Sequence, residues 1–216
     1  MVRVQLGRRS LQIAVVDNQN ELYRNAVELA QRIYHNAYAA TIEPRPSRFV
    51  VCIDEGSGNM VACAGLTFAG SLKLFSEHYM NAPLEDVLKG VFGTEVPRAR
   101  ACEISSLATL ERSVGAELVR IVPFLCWFMG QRALICTVTS KLKQLIEYQK
   151  WPFMAVAAAD VSRVPKVEGI DWGTYYDTTP DTLVVKLDEI GHLFNAYCSR
   201  YSYSQQPLAS LQTVAA

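Results

Sequence analysis

The stretch CEISSLATLERSVGAELVRI, residues 102–121, decides the fold and raises a chemical question. Its first part reads as a buried strand, yet it carries a carboxylate at Glu103 and hydroxyls at Ser105 and Ser106, and a glycine, Gly115, opens the apolar helix that follows. A carboxylate in an apolar strand is costly unless it has a partner. We therefore expect these polar groups to be paired or to serve a ligand at the helix N-terminus.

The composition indicates one domain of ordinary size. Half of the 216 residues are apolar, and Lys+Arg and Asp+Glu balance at 21 each, so the basic surplus of a nucleic-acid binder is missing. The longest apolar runs are far shorter than the roughly 20 residues that span a bilayer, so we expect no stable membrane insertion. The six cysteines lie mostly in apolar runs without metal-ligand spacing, and no long apolar segment opens the chain. Free thiols in the cytoplasm and no metal site are expected.

The order of elements predicts an α/β fold. Apolar residues recur at helical spacing over 20–40, and two strands at 48–55 and 59–70 are joined by GSGN, which suits a hairpin turn. Pro83 marks the start of a short helix. Alternation of strands and helices after residue 100 implies a mixed sheet with helices on both faces. The later strands are expected at 101–110, 132–139 and 151–160, and the helices between them at 115–131 and at 140–150, the latter with Ser140 as its N-cap.

The elements from 102 to 157 resemble the acyl-coenzyme A half of the GNAT acyltransferase fold, whose sheet is mixed and mostly antiparallel. The resemblance implies a strand that splays from its neighbour and pairs with the pantetheine arm, followed by a loop and helix N-terminus that hold the pyrophosphate. The family's Q/R-x-x-G-x-G/A loop is matched at its first two signature positions, but Glu117 replaces the last small residue and adds negative charge. The pantetheine of a carrier protein would be less affected by this charge, because it lacks the pyrophosphate–adenosine end. The expected cofactor-binding residues are Leu107, Thr109, Arg112, Val114 and Gly115.

Two further resemblances narrow the choice among families with this fold. EISSLATL (103–110) is similar to the E-[LI]-S-R-[FL]-A segment of acyl-homoserine-lactone synthases, with Ser106 at the arginine position. The chain as a whole is more similar to the thermostable hemolysin family, whose L-F-x-E-x-Y-[LM]-x-x-P-[IL]-E block is present as LFSEHYMNAPLE (74–85). That likeness runs from IYHNAYAATIEP (33–44) to WGTYYDTTP (172–180).

The lactone-synthase resemblance implies that Glu103 lies near the incoming amine and accepts its proton. The alternative is a structural ion pair with Arg98 or Arg100, which precede it in the chain. Within LFSEHYM, Glu77 is expected to orient the amine by its charge and His78 to relay a proton. A solvated loop is the alternative for both.

The expected general acid is Tyr148. Many GNAT enzymes have Tyr-x-x-x-x-Phe at this place, and Tyr148 and Phe153 have that spacing. The resemblance implies that this tyrosine protonates the departing thiolate. A tyrosine that only packs at the end of a helix is the alternative.

Substrate contacts are expected from two segments. Adjacent residues of a strand face opposite sides, so at most one of the two serines in EISSLATL should face the cleft. The aromatic–acid cluster in WGTYYDTTP would line an acyl pocket and present a carboxylate to a cationic substrate, or would form a turn. The expected substrate-binding residues are Ser105, Ser106, Trp172, Tyr175 and Asp177.

Together these features predict an acyltransferase that moves an acyl group from an acyl thioester to the amine of a small metabolite or amino-acid derivative, by direct attack, in signal or natural-product biosynthesis. Within one domain, 1–216, about 1–100 would form the acceptor side, about 101–160 the thioester-binding half and about 161–216 a C-terminal extension. No permanent cofactor is expected; acyl-CoA, or the acyl-pantetheine of an acyl carrier protein, would be co-substrate. A membrane-damaging protein and an inactive GNAT-shaped binding module are the alternatives.

Overall fold

The computed structural model describes residues 1–71 and 73–203, in which nine strands form one sheet. Their order across the sheet is β7-β8-β6-β5-β4-β3-β2-β1-β9. Among the described strand pairs, β5–β6 is parallel and the other pairs are antiparallel, which confirms the mixed, mostly antiparallel sheet. Residues 204–216 of the expected C-terminal extension lie outside the described part. The strands are β1 (Val2–Leu6), β2 (Arg9–Val16), β3 (Arg48–Asp54), β4 (Met60–Phe68), β5 (Ala101–Thr109), β6 (Ala133–Val138), β7 (Phe153–Ala158), β8 (Asp181–Lys186) and β9 (Tyr201–Tyr203).

Helices cover both faces of the sheet, as expected. Alternate residues of a strand point to opposite faces. In β6, Leu134 packs in the core cluster that includes α3, α4 and α5, whereas Ile135 packs in the cluster that includes α2. In β3, Val50 joins the first of these clusters and Val51 joins a third one with α1. The helices are α1 (Glu21–Tyr38), α2 (Leu84–Phe92), α3 (Arg112–Phe128), α4 (Ser140–Tyr148) and α5 (Gly191–Tyr197).

Two helix starts differ from the sequence expectation. The N-cap of α4 is Thr139, whose hydroxyl accepts from the amide of Leu142, and Ser140 is the first helical residue. Helix α3 begins at Arg112, three residues before the glycine taken as its start. Because Gly115 then lies within the first turn, its missing side chain lets the helix start approach the end of β5: a Cβ there would lie 2.8 Å from Cγ2 of Thr109.

Strands β5 and β6 separate half-way along their length. Their paired register runs from Ala101↔Ala133 to Ile104↔Cys136 and ends there, although β5 continues to Thr109. Beyond Ile104 the edge of β5 that faces β6 therefore borders a cleft. This is the splay that the GNAT resemblance implied.

A β-bulge lies in the splayed half of β5 and changes the alternation of its side chains. The register with β4 passes from Cys63↔Ala108 to Gly65↔Ser105, so that β5 has one residue more than β4 between these pairs. Ser106 has φ 49°, in the left-handed region that a serine rarely adopts. A bulge of this kind interrupts the strict alternation of side chains along a strand.

Candidate active site

Two cavities meet at the splay. The splay cleft, of about 680 Å³, lies between β5, β6, α3 and α4. The aromatic pocket, of about 390 Å³, borders residues 103–106 of β5 and the segments 73–79 and 164–176. The two cavities share part of their walls, so they lie next to each other at this junction. The shared residues are Tyr34, Ile104, Ser105, Ser106, Thr137 and Tyr175.

Glu103 lies on the wall of the aromatic pocket, next to the junction. It is 3% exposed, and neutral donors surround it: Oε2 accepts from the amide of Phe75 (2.7 Å), and Oε1 accepts from the amide (2.8 Å) and hydroxyl (2.5 Å) of Ser76. Burial raises the pKa of Glu103, and the hydrogen bonds from Ser76 and Phe75 oppose the rise without cancelling it. A fixed carboxylate of raised pKa is suited to accept a proton.

The alternative ion pair of Glu103 is not present. Arg98 pairs with Glu77 (2.6 Å) and Glu85 (3.5 Å), and Arg100 donates to the carbonyl of Gly130 (2.8 Å). The negative charge of Glu103 is therefore held by hydrogen bonds alone among the contacts that the structure describes.

The two other predicted residues of LFSEHYM are placed differently from each other. Glu77 is almost buried, accepts from the amide of Leu74 (2.7 Å) and is held by Arg98, and it is not among the residues that line either cavity. The charge of Glu77 is thus paired with that of Arg98, and its position gives no support to the expected role of orienting the amine. His78 does line the aromatic pocket, with Nδ1 3.5 Å from Nζ of Lys73. Burial and then the Lys73 charge lower the pKa of His78, which keeps the ring neutral near pH 7.

Hydroxyl groups continue from Glu103 across the sheet. Oγ of Ser76 lies 2.8 Å from Oγ1 of Thr137, which in turn lies 3.0 Å from Oγ1 of Thr182. Ser76 and Thr182 are fully buried, whereas Thr137 lines both cavities. Sequence reasoning missed these residues because they are far apart in the chain.

Aromatic rings form the wall of the aromatic pocket. The ring of Tyr175 is stacked on that of Tyr34, with centroids 6.0 Å apart, and Trp172 lies 5.4 Å from Phe75. Tyr38, which is on α1 like Tyr34, lies 5.2 Å from Tyr175 but borders the splay cleft and not this pocket. The four-residue spacing of the two α1 tyrosines, which puts them on one helix face, is the signal that would have identified them. Burial raises the pKa of the Tyr34 and Tyr175 phenols, so both are neutral.

The WGTYYD segment is fixed against the end of α1. The amide of Thr174 donates to the carbonyl of Tyr38 (2.8 Å). Gly173 has φ 49°, and a Cβ there would lie 2.0 Å from the same carbonyl, so a side chain cannot fit. The structure thus brings two of the expected substrate residues, Trp172 and Tyr175, into the aromatic pocket, but Asp177 is exposed and is not among the lining residues.

Ser105 and Ser106 are both among the residues that line the two cavities. The expectation that at most one of them faces the cleft assumed strict alternation of side chains, which the bulge at Ser106 interrupts. Gly65 of β4 lies opposite Ser105, and a Cβ there would be 2.9 Å from its Oγ. The close approach of the two strands therefore depends on this glycine.

The splay cleft contains most of the predicted cofactor-binding residues. Leu107, Thr109, Arg112 and Gly115 line it. Val114 does not, because its side chain is fully buried in the core, although its backbone lies in the first turn of α3. The N-cap of that helix makes no side-chain hydrogen bond, so amides of its first turn remain for a ligand.

Glu117 faces away from this helix start. It is 3% exposed and binds Arg120 (2.6 Å), Arg200 (2.5 Å) and the hydroxyl of Tyr201 (3.1 Å). Burial raises the pKa of Glu117, but the hydrogen bonds and charges of the two arginines outweigh it, so that the pKa is lowered overall. The negative charge that argued against pyrophosphate binding is therefore neutralised on the opposite side of the helix.

Tyr148 is 83% exposed at the end of α4 and does not line either cavity. The next residues turn inward instead: Trp151 is buried, lines the splay cleft and packs on Phe124 at 5.4 Å. The role expected of Tyr148 as general acid thus gains no support from its position.

All six cysteines are free thiols, and Cys136 lines the splay cleft. Burial raises the pKa of the Cys136 thiol to about 12, so it is not an ionised nucleophile at neutral pH. Within residues 1–71 and 73–203, no group of three or more potential metal ligands is present. The same part of the chain has no helix of the length and apolarity that crossing a membrane requires.

A protein-family model described as thermostable hemolysin matches residues 16–190, which is most of the chain. That span includes β5, both cavities and the WGTYYD segment. No curated protein compared with the chain matches it.

Several solved structures share the fold. FeeM, an N-acyl amino acid synthase from uncultured soil microbes, is similar with a TM-score of 0.57 and 12% identity, over 84% of this chain and 93% of that one. The acyl-homoserine-lactone synthase LasI gives 0.55 and 10% identity over 91% and 98% of the two chains. MesI, a CoA-dependent acyl-homoserine lactone synthase, gives 0.50 and 15% identity over 87% and 95%. At these identities the likeness shows the GNAT-like fold.

Proposed function

The chain belongs to the thermostable hemolysin family, and we propose that it is an acyltransferase that moves an acyl group from an acyl thioester to the amine of a small metabolite or amino-acid derivative. The observation that carries this proposal is the junction of the two cavities at the splay of β5 and β6, with Glu103 beside it on the aromatic-pocket side. One cavity would hold the donor and the other the acceptor, and the reacting atoms would meet at the junction.

The splay cleft fits an acyl thioester. Beyond Ile104 the backbone of β5 offers hydrogen-bonding groups to a pantetheine arm, in place of the strand that has diverged. The amides of the first turn of α3 and the charges of Arg112 and Lys141, which line the cleft, suit a pyrophosphate. Deeper walls are apolar, with Trp151, and suit an acyl chain.

The aromatic pocket fits a small amine that carries a carboxylate. Glu103 faces the amine, while Lys73 and His78 on the same wall offer donors for an anionic group. The rings of this pocket provide flat apolar contacts. FeeM, which shares this fold, is an N-acyl amino acid synthase, and this agrees with an amino-acid acceptor.

Direct attack of the amine on the thioester carbonyl accounts for the site. Cys136, the cysteine that lines the splay cleft, has a thiol of raised pKa. Ser76, whose hydroxyl donates to Glu103, is fully buried and does not line either cavity. A covalent acyl-enzyme would need an accessible activated nucleophile. The amine therefore bonds to the carbonyl carbon, Glu103 accepts its proton, and backbone amides near the bulge stabilise the oxyanion.

The test is the melting temperature of the purified protein with straight-chain acyl-coenzyme A thioesters and the matching acyl-pantetheines. A donor at about 100 times its dissociation constant adds about 2.7 kcal/mol, which is a shift of several degrees for a chain of this size. We expect the shift in melting temperature to change progressively with the length of the acyl chain. Arg112→Gln should weaken acyl-coenzyme A but not acyl-pantetheine, which lacks the pyrophosphate, and Arg24→Gln on the exposed face of α1 is the matched control.

An absent shift for every donor would refute the thioester site and leave the inactive module or the membrane-damaging protein. A shift with acyl-pantetheine that Arg112→Gln leaves intact, together with a weak response to acyl-coenzyme A, would point to a carrier protein as donor. Acyl transfer itself is then measured as thiol release in a mixture of L-amino acids.

A further inference from the structure

We propose that the hydroxyls of Ser76 and Thr137 carry the proton from Glu103 to the sulfur that leaves the donor. The inference rests on the acyl-transfer function proposed above and adds the step that completes it. Its basis is a continuous set of contacts: Oγ of Ser76 lies 2.5 Å from Oε1 of Glu103 and 2.8 Å from Oγ1 of Thr137.

The positions of the two hydroxyls connect the two cavities. Glu103 borders the aromatic pocket, where the amine would lie, and Thr137 borders both that pocket and the splay cleft, where the thioester would lie. Ser76 stands between them and is fully buried. A proton that moves along these contacts passes from the acceptor side to the donor side without entering solvent.

The leaving group needs such a delivery. An alkyl thiol has a pKa of about 8.5, so its thiolate is a poor product at neutral pH unless a proton arrives as the carbon–sulfur bond breaks. Tyr148, the acid expected from sequence spacing, is 83% exposed and outside the cleft. Tyr175 is at the junction, but its hydroxyl donates to the backbone carbonyl of Thr137 at 3.3 Å.

The proton balance of the reaction is closed. The attacking amine forms a bond to the carbonyl carbon and loses one proton to Oε1 of Glu103, and the Ser76 hydroxyl, which donates to Oε1 before the reaction, turns toward Thr137. As the carbon–sulfur bond breaks, its electron pair stays on sulfur, which takes the proton of the Thr137 hydroxyl. Thr137 takes the proton of Ser76, and Ser76 takes one from Oε1 of Glu103. The carboxylate and both hydroxyls are restored, and no co-reactant is consumed.

The position of Thr182, the last hydroxyl of the series, supports proton transfer from Glu103 toward the splay cleft. Thr182 contacts Oγ1 of Thr137 at 3.0 Å, but it is fully buried and does not line either cavity. A proton that reaches Thr137 therefore leaves through a cavity that Thr137 borders, and the splay cleft, where the sulfur would lie, is one of the two. Thr182 lies beyond the relay and provides a matched control. Thr182→Val removes one hydroxyl contact of Thr137, while the contacts that lead from Glu103 through Ser76 to Thr137 remain.

The experiment compares wild type with Thr137→Val, Thr137→Ser and Thr182→Val. Each is assayed in a mixture of L-amino acids with two octanoyl donors: octanoyl-coenzyme A, and the octanoyl thioester of 5-thio-2-nitrobenzoate, an aromatic thiol that leaves without protonation. General acid catalysis contributes about 100-fold or more. We expect Thr137→Val to lose about 100-fold with coenzyme A as leaving group and less than about 5-fold with the aromatic thiol. Thr137→Ser, which keeps the hydroxyl, should recover most of the activity that Thr137→Val loses, and Thr182→Val should stay near wild type with both donors.

The outcomes separate the relay from the function on which it depends. Wild-type protein that releases no thiol from either donor overturns the acyl-transfer proposal and the relay with it. Active wild type with an unimpaired Thr137→Val overturns the relay alone. An equal loss with both donors also overturns it, because the hydroxyl would then serve binding or folding rather than the leaving group. Melting temperatures with octanoyl-coenzyme A show that each variant is folded and binds its donor.

Discussion

Replacement of Glu103 by glutamine tests the chemistry at the junction most directly. The amide keeps the size of the carboxylate, and its oxygen can still accept from the amide and hydroxyl of Ser76. Its nitrogen, however, must face the amide of Phe75, which now donates to Oε2 at 2.7 Å. One hydrogen bond is lost and two donors face each other, which lowers the free energy of unfolding by about 1–3 kcal/mol. Part of this loss is offset because the variant no longer buries a charge. We expect a melting temperature lower by about 2–8 °C.

Turnover should fall much further than stability. A general base contributes about 100-fold or more, so Glu103→Gln should lose at least about that factor in kcat while its melting shift with donor remains. The wild-type pH profile adds a second signature. Because the base must be ionised and burial raises the pKa of Glu103, kcat/KM should rise with pH through a value above that of an ordinary glutamate, and this limb should vanish in the variant.

Glu117→Gln is the matched control, because Glu117 is also 3% exposed but lies outside both cavities. It should destabilise the protein at least as much and leave kcat near wild type. If Glu103→Gln retained kcat within about 3-fold, or if both variants lost activity in proportion to their melting temperatures, the assignment of Glu103 as base would be refuted.

Two further outcomes follow from the positions of ionisable groups. Glu117→Gln leaves the largely buried Arg120 without its anionic partner and should lower the free energy of unfolding by about 3 kcal/mol at neutral pH. The pKa of Glu117 is lowered in the folded state, so its contribution to stability is complete above the pKa of an unfolded glutamate and is lost as the pH falls through the folded pKa. The difference in the free energy of unfolding between variant and wild type, measured by urea titration, should therefore shrink on acidification. A difference that does not change with pH would contradict the pairing. Tyr148→Phe should leave thiol release within about 2-fold of wild type, since the ring is 83% exposed, and a loss of 10-fold or more would return the acid role to this tyrosine.

The sequence predicted the elements whose apolar pattern is long and regular. The helix at 20–40, the hairpin of β3 and β4 and the run from β5 to β7 follow from period and turn residues. Strands β1, β8 and β9 were not predicted. Strand β1 pairs with β2, which follows it directly in the chain, but β8 and β9 are placed by partners distant in the chain. The segment β8 shows this best: it lies between β6 and β7 in the sheet, although both precede it in sequence.

The candidate site was predictable where one residue was unusual for its element. A carboxylate in an apolar strand identified Glu103, and the aromatic segment identified Trp172 and Tyr175. The neighbours of these residues were not predictable. Arg98 reaches Glu77 and Thr137 reaches Ser76 only because the sheet and its connections bring them together, and no local pattern encodes a contact across 61 positions.

The left-handed residue at Ser106 divides one strand into two independent parts. Residues 101–104, before it, are held in register by β6 and include Glu103, the proposed base, whereas the residues after it follow the cleft in which the donor is proposed to bind. A substitution at Leu107 or Thr109 can therefore reshape the space for the acyl chain without displacing Glu103. In a family built on this strand, preference for the acyl group and preference for the amine would be free to diverge separately, and an engineer could exchange one and keep the other.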